Sequence, residues 1–247
     1  MKKLLYVFLL VSLSATAQNY QTITFKSTDG VMITADVYLT HEKTSPFIVL
    51  FHQANWSRGE YLEIAPKLNQ LGFNCMAVDL RSGGSVNNVS NATMQSAVAA
   101  MKETKYVNSI PDIEAAVDYA DEFYAEGKLI IWGSSYSSSL VLNYAGTHPD
   151  KVQAVMSFSP GEYFRSQGKP ADFITTSAAN INVPVFITSA KGEQGSWQKI
   201  YDAVPSASKE YYLPETPGNH GSRALWAKFG DSLRYWDAVE AFLNKIK

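Results

Sequence analysis

Ser135 stands in a sequence context that could make it a nucleophile. It is the centre of Gly133-Ser134-Ser135-Tyr136-Ser137, which follows the apolar run 129–132 and precedes apolar residues at helical spacing. Small residues around a serine let a buried strand turn sharply into a helix, which exposes the hydroxyl beside unpaired N–H groups at the helix N-terminus. Serine-rich loops are common, so this predicted nucleophile elbow also requires a base, an acid and oxyanion donors elsewhere in the chain.

A serine hydroxyl needs a neighbouring base, and in an open parallel sheet the reacting groups gather at the carboxyl ends of the strands. His220 follows the last predicted strand and is our candidate for the base. The carboxylate that orients the base is assigned to Glu193, the first acidic residue after the predicted strand 183–189. Glu162 is a rival for this role and Asp172 a more distant one, since both follow the preceding strand.

Acyl transfer also requires backbone N–H groups directed at the developing oxyanion. One is expected from Tyr136, the residue after the nucleophile. The other is expected from the loop after the first central strand, where we assign Ala54 and keep Gln53 as the alternative. His52, in the same loop, is interpreted as a buried, hydrogen-bonded organiser of that loop and not as a base.

Hydrophobic patterning predicts the elements that must position these residues. Alternation on either side of Asp29-Gly30 predicts an edge hairpin of strands 21–25 and 32–38, and the continuous apolar run 46–51 predicts a central strand. The strand, helix, strand order predicts parallel pairing in one doubly wound α/β domain over residues 18–247. Further strands are predicted at 73–80, 129–132, 152–158, 183–189 and 210–213, and helices at 59–71, 94–101, 111–124, 198–203 and 224–246.

The order of these motifs resembles the α/β-hydrolase superfamily and, within it, the dienelactone-hydrolase-like branch. The resemblance rests on His52-Gln53-Ala54, on 79–84 (DLRSGG), and on the order of the elbow, Glu193 and His220, and it covers about residue 29 to the C-terminus. It implies an α/β-hydrolase fold of a mostly parallel twisted sheet flanked by helices. It also implies a serine hydrolase that acts on ester, lactone or related acyl bonds of a small molecule without a bound cofactor.

The sequence departs from the pattern of this superfamily at several positions. Ser137 replaces the usual second glycine of the elbow, Glu193 replaces the commoner aspartate, and Ser135 stands where dienelactone hydrolases have cysteine. Gln53 replaces a glycine, and its side chain is therefore a candidate substrate contact. These departures leave open an alternative function, a non-catalytic secreted binding protein built on a hydrolase scaffold.

The stretch between the strands ending near residue 160 and starting at 183 is short, which implies a small or absent cap over the site. Four aromatic residues near it either line an acyl pocket or belong to the core: Phe158, Tyr163, Phe164 and Trp197. The four histidines are scattered, so we expect no metal site. The net charge of −2 and the lack of a basic cluster argue against nucleic acid as a partner.

The first 17 residues have the composition of a secretory signal peptide. Lys2-Lys3 precede an apolar stretch at 4–13, and Ala15-Thr16-Ala17 supplies the small residues of a cleavage site. The apolar stretch is much shorter than the roughly 20 residues of a membrane span, so no stable membrane insertion is expected after cleavage. We therefore expect an exported protein, periplasmic or secreted, whose only cysteine, Cys75, forms no internal disulfide.

Overall fold

The computed structural model describes residues 20–247, and one eight-stranded sheet runs through them in the order β1-β2-β4-β3-β7-β8-β9-β10. Strand β2 is antiparallel to both of its neighbours, and every other pairing in this sheet is parallel. The predicted signal peptide, 1–17, lies outside the described residues. The strands are β1 (Gln21–Lys26), β2 (Met32–Tyr38), β3 (Phe47–Phe51), β4 (Asn74–Val78), β5 (Ser85–Val86), β6 (Val89–Ser90), β7 (Leu129–Ser134), β8 (Ala154–Phe158), β9 (Val185–Thr188) and β10 (Lys209–Tyr212).

Helices cover both faces of the sheet, as the continuous apolar strands predicted. Phe47, Val49 and Phe51 of β3 pack into one core cluster, whereas Ile48 and Leu50 pack into the other. Residues of α3 to α6 contribute to the first cluster, and residues of α1 and α7 contribute to the second. The helices are α1 (Ile64–Gln70), α2 (Ala92–Ala99), α3 (Ile110–Phe123), α4 (Tyr136–Thr147), α5 (Phe173–Ala178), α6 (Gln194–Ala203) and α7 (Ser232–Ile246).

Three predicted helices were wrong in extent, and one of them, predicted at 198–203, begins four residues earlier, at Gln194. The pattern at 59–71 is divided between a 3-10 turn, Arg58–Tyr61, and α1. The predicted helix 224–246 begins only at Ser232, because a 3-10 turn ends at Trp226 in an extended backbone conformation. Ala224 and Leu225 of this turn pack into the core without α-helical geometry, and their apolar spacing therefore misled the prediction.

The connections near the carboxyl ends of the strands are compact. The polar stretch 81–108 folds into the hairpin β5–β6 and α2, close to the predicted short helix. Residues 159–184, which join β8 to β9, hold only a 3-10 turn and α5, in agreement with the expected small cap. Between residues 20 and 247 the structure contains no helix with the length and hydrophobicity needed to cross a membrane.

Candidate active site

The chain turns from β7 into α4 at Ser135. From residue 129 to residue 146, Ser135 is the only residue that is not buried. Its backbone has φ 59° and ψ −123°, and its N–H donates to Phe158 O at 2.7 Å. A positive φ at a residue with a Cβ costs about 1–3 kcal/mol and persists only where the surroundings enforce it. The turn therefore holds the hydroxyl outward in a strained conformation, as the elbow pattern predicts.

Backbone crowding makes glycine necessary at position 133. A Cβ built on Gly133 would lie 2.4 Å from Ser137 O and 2.5 Å from Ser138 Cα. Ser137 stands at the second glycine position of the elbow pattern, and it is accommodated because its hydroxyl binds the turn. The Ser134 N–H donates to Ser137 Oγ at 2.8 Å, and the same oxygen lies 2.8 Å from Phe51 O. Ser137 thus ties the elbow to β3, which explains its presence in place of glycine.

Gly133→Ala should destabilise the protein by about 3 kcal/mol or more, because the new methyl group meets backbone atoms that cannot move aside. Gly195→Ala is the matched control, since its Cβ would meet nothing within 4 Å on the exposed part of α6. We expect this control to gain about 0.5–1 kcal/mol from its higher helix propensity. Urea unfolding measures both changes, and an unchanged midpoint for Gly133→Ala would contradict the crowding argument.

His220 joins Ser135 and Glu193, the candidate nucleophile and the candidate acid, in one chain of hydrogen bonds. Its Nε2 lies 2.8 Å from Ser135 Oγ, and its Nδ1 lies 2.6 Å from Glu193 Oε1. Burial favours the neutral form of Glu193, but hydrogen bonds from His220 and Ser159 outweigh it and hold the pKa of Glu193 below its ordinary value. An ionised Glu193 accepts a hydrogen bond from Nδ1–H, which leaves Nε2 unprotonated and able to accept a hydrogen bond from the Ser135 hydroxyl.

Ser159 contacts both Glu193 and the loop of His220, and it is not among the site residues predicted from the sequence. Its hydroxyl donates to Glu193 Oε2 at 2.7 Å and accepts from the Gly221 N–H at 2.9 Å. Ser159 is buried and has φ 61°, so it directly follows β8 in a strained conformation. The available signal was a serine placed between a strand and Pro160-Gly161, where a turn of unusual backbone geometry is expected.

The rival acids lie elsewhere in the structure. Glu162 accepts hydrogen bonds from Ile174 N at 2.9 Å and from Thr175 N and Oγ1 at 2.8 Å each. Its carboxylate therefore binds the N-terminus of α5, where orphan N–H groups favour a negative charge. Asp172 occupies the N-cap position of the same helix. Of the three candidates, Glu193 is the one whose carboxylate contacts His220.

In the part of the chain that the structure describes, the backbone N–H groups of Ala54 and Tyr136, the assigned oxyanion donors, are free, whereas that of Gln53, the alternative to Ala54, is not. The Gln53 N–H is already bound to Glu60 Oε2 at 2.8 Å, so Gln53 was wrong as an alternative backbone donor. Within residues 20–247, the N–H groups of Ala54 and Tyr136 have no hydrogen-bond partner. The Gln53 side chain lies beside the loop of His220, since a Cβ on Gly221 would be 3.3 Å from Gln53 Oε1.

His52 organises the loop that carries Ala54. The Leu80 N–H donates to His52 Nε2 at 2.9 Å, so the proton resides on Nδ1, which donates to Gln53 O at 2.8 Å. Burial lowers the pKa of His52, which keeps the ring neutral. The histidine therefore fixes the loop from the inside, with both of its ring nitrogens engaged in hydrogen bonds.

Tyr163 is the aromatic residue that borders the reacting groups. Its hydroxyl donates to Ser159 O at 2.7 Å and adjoins the Ser135 side chain, and burial raises the pKa of this phenol. It therefore remains a neutral donor beside the nucleophile. The other three aromatic candidates are buried in the core: Phe158, Phe164 and Trp197.

Solved structures with the same fold span nearly the whole chain. An esterase of Pyrococcus furiosus, Pf2001, is 17% identical over 92% of each chain, with a TM-score of 0.72. A dienelactone hydrolase of Anabaena variabilis is 14% identical over 92% of this chain and 99% of its own, with a TM-score of 0.68. Est1E of Butyrivibrio proteoclasticus, solved with ferulic acid bound, is 12% identical over 91% and 98%, with a TM-score of 0.71.

The sequence itself matches one protein family. No curated protein is similar enough in sequence to count as a relative. The family model for serine aminopeptidase, S33, matches residues 42–168, about half of the chain, and this range includes Ser135, Tyr136 and Ala54. The fold, the elbow and this match agree, and the chain belongs to the α/β-hydrolase family described as serine aminopeptidase, S33, with a fold shared by dienelactone hydrolases.

Proposed function

We propose that this protein is an exported serine hydrolase that cleaves ester, lactone or related acyl bonds of small molecules. The observation that carries the proposal is the hydrogen-bond chain from Ser135 Oγ to His220 Nε2, at 2.8 Å, and from His220 Nδ1 to Glu193 Oε1, at 2.6 Å. A hydroxyl, an imidazole and a carboxylate in this order can activate the hydroxyl for attack on a carbonyl.

In the proposed reaction, Ser135 Oγ attacks the carbonyl carbon while His220 Nε2 takes up its proton. The N–H groups of Ala54 and Tyr136 stabilise the oxyanion, and the ionised Glu193 stabilises the imidazolium. His220 then donates the proton to the leaving oxygen, and an acyl group remains on Ser135. Water, activated by His220, hydrolyses this acyl-enzyme and restores the free hydroxyl.

Esters are the favoured substrates for two reasons. Proteins that share the fold over most of their length include an esterase and a dienelactone hydrolase. The short connection 159–184 also leaves the site without a large cap. The Gln53 side chain lies next to the loop of His220, and we assign it a contact with the substrate.

Export is proposed from the sequence of residues 1–17, which has a basic start, an apolar centre and small residues at 15–17. A soluble protein released by cleavage after Ala17 would act in the periplasm or outside the cell. Fractionation of cells that produce the full chain, with N-terminal sequencing of the mature protein, tests this location.

A fluorophosphonate probe and a pair of chromogenic substrates test the proposed activity. The probe should attach to Ser135, identified by peptide mass spectrometry, because phosphonylation requires an activated serine in a formed oxyanion site. Ser196→Ala is the control for non-specific labelling of exposed serines, since Ser196 is an exposed hydroxyl three residues after Glu193. Its labelling should equal that of the wild-type protein. Short p-nitrophenyl esters should be hydrolysed faster than an amino-acid p-nitroanilide.

Each outcome favours one function. Labelling of Ser135 with ester turnover supports the esterase. Preferential cleavage of the nitroanilide would replace it by an aminopeptidase, the activity named in the family description. The absence of both labelling and turnover in a folded protein would contradict the proposal and favour a non-catalytic binding protein on the same scaffold.

A further inference from the structure

A completely buried glutamate, which forms no salt bridge with any residue of 20–247, lies next to the candidate reacting groups. Glu60 belongs to the 3-10 turn Arg58–Tyr61 that follows β3. Its two carboxylate oxygens accept hydrogen bonds from a backbone N–H and from a hydroxyl, not from a basic side chain. Burying a carboxylate is costly unless its interactions compensate for lost hydration. The burial of this carboxylate therefore indicates that its hydrogen bonds have a role in the neighbouring site.

The contacts of Glu60 determine which atoms carry the protons. The Gln53 N–H donates to Oε2 at 2.8 Å, and the Ser134 hydroxyl lies 2.7 Å from Oε1. The Ser222 N–H donates to Ser134 Oγ at 2.9 Å. A backbone N–H can only donate, so Ser134 Oγ accepts from Ser222, and the Ser134 hydroxyl donates to Glu60 Oε1 when that carboxyl group is ionised. Both oxygens of Glu60 are thus acceptors, and the network is complete when the carboxylate is ionised.

These contacts join the three segments that present the reacting groups. The network reaches one residue before Ala54, one residue before Ser135 and two residues after His220. We propose that Glu60 is a positioning residue that holds these three segments in register, and that its ionised form is the one that aligns the site. This inference rests on the proposed function, because it concerns the same hydrolytic site.

The turn that carries Glu60 is anchored independently of its carboxylate. The Tyr61 hydroxyl donates to Phe51 O at 2.6 Å, and the Trp226 indole N–H donates to Glu60 O at 2.9 Å. Arg58 is bound to Asp79 at 2.7 Å. Because these contacts involve other groups, a change confined to the Glu60 side chain should leave the turn folded and alter only the ties to the three segments.

The surroundings of Glu60 place its ionisation in the neutral range. Burial raises the pKa of this carboxyl to about 7, against the opposing effect of its two hydrogen-bond donors. The basic side chains that face it are His220 and Arg223, and the phenols of Tyr61 and Tyr136 stay neutral because burial raises their pKa. As the pH falls through about 7, the carboxyl takes up a proton, and one oxygen ceases to be a free acceptor for its donor.

Glu60→Gln tests the role of the carboxylate, because it preserves the side-chain volume but replaces one acceptor by a donor. We expect kcat/KM for a p-nitrophenyl ester at pH 8 to fall about 10- to 100-fold, mostly through kcat, as small misplacements of reacting groups lower rates to this extent. The acid limb of log(kcat/KM) should have a slope of two in the wild-type enzyme, because both His220 and Glu60 must lose a proton. In Glu60→Gln the slope should be one.

Ser134→Ala provides a second test, in which the pH profile is expected to shift and not to change slope. It keeps the ionisable carboxyl but removes one hydrogen bond that favours the ionised form, so the acid limb should keep its slope of two and move to higher pH. Glu63→Gln is the matched control, because Glu63 is exposed and accepts from Ala227 N at 3.0 Å near the same loop. Its profile should equal that of the wild-type enzyme. Circular dichroism establishes that each variant is folded.

The outcomes separate this inference from the proposed function. A wild-type protein without labelling or turnover would remove the hydrolytic function itself. An active wild-type enzyme whose acid limb has a slope of one, or a Glu60→Gln variant with the wild-type slope and rate, would overturn the role of Glu60 alone. If Glu60→Gln does not fold, Ser134→Ala decides: an acid limb at the same pH as in the wild-type enzyme would overturn the role of Glu60.

Discussion

Ser135→Ala should lower kcat for p-nitrophenyl ester hydrolysis by about 10⁴- to 10⁶-fold, the range found when the nucleophile of a serine triad is removed. The reason is that, in the proposed reaction, this hydroxyl loses its proton to His220 Nε2, 2.8 Å away, and accepts the acyl group. Initial rates with enzyme in excess measure the residual turnover. Full retention of activity in a folded variant would remove Ser135 from the mechanism.

Stability provides a second test of the same residue. Ser135 has φ 59°, a conformation that glycine adopts without strain. Ser135→Gly should therefore lose activity as Ser135→Ala does, but it should raise the free energy of unfolding by about 1 kcal/mol through relief of strain. Urea unfolding of the two variants measures the difference. A Ser135→Gly variant less stable than Ser135→Ala would contradict the presence of stored strain.

The positions of Ser135 and His220 in the fold were predictable because local rules place each of them. The elbow pattern around Ser135 describes its own turn, and His220 follows the last strand of the sheet. Parallel strands present their carboxyl ends at one edge, so two residues 85 positions apart in the sequence come within 2.8 Å. The strand order and the packing of helices on both faces follow from equally local patterns of hydrophobicity.

The acid was harder to predict than the base. Glu193, Glu162 and Asp172 all follow strands, so the assignment to Glu193, the first acidic residue after strand 183–189, left the other two as rivals. The path of residues 159–184 decides between them, because it brings the N-terminus of α5 to Glu162 and leaves Glu193 facing His220. That path depends on tertiary packing around a six-residue helix whose sequence, FITTSA, has weak helical propensity.

Glu60 could not be identified from the sequence at all. It lies within a run of apolar residues at helical spacing, where a glutamate reads as a solvated position. Its partners, Gln53 and Ser134, come from two other segments, so no short motif describes the contact. The false extension of the C-terminal helix has a related origin, because burial of the turn before Ser232 imitates helical periodicity.

Glu193→Gln should lower kcat by about 10²- to 10⁴-fold, because an amide can neither hold the His220 tautomer nor stabilise the imidazolium as a carboxylate does. The contact at stake is the 2.6 Å hydrogen bond between Glu193 Oε1 and His220 Nδ1. The effect should fall on kcat more than on KM, since the charge on His220 develops in the transition state. Steady-state kinetics on a p-nitrophenyl ester separates the two parameters.

Glu162→Gln is the control that distinguishes the rival acids, and it should give the opposite combination of effects. Its kcat should stay near that of the wild-type enzyme, because Glu162 binds Ile174 N and Thr175 N at the start of α5. Its free energy of unfolding should fall by about 1–2 kcal/mol, since the neutral amide caps those N–H groups less well. A large loss of turnover in Glu162→Gln with little change in Glu193→Gln would reverse the assignment and require the two loops to rearrange when substrate binds.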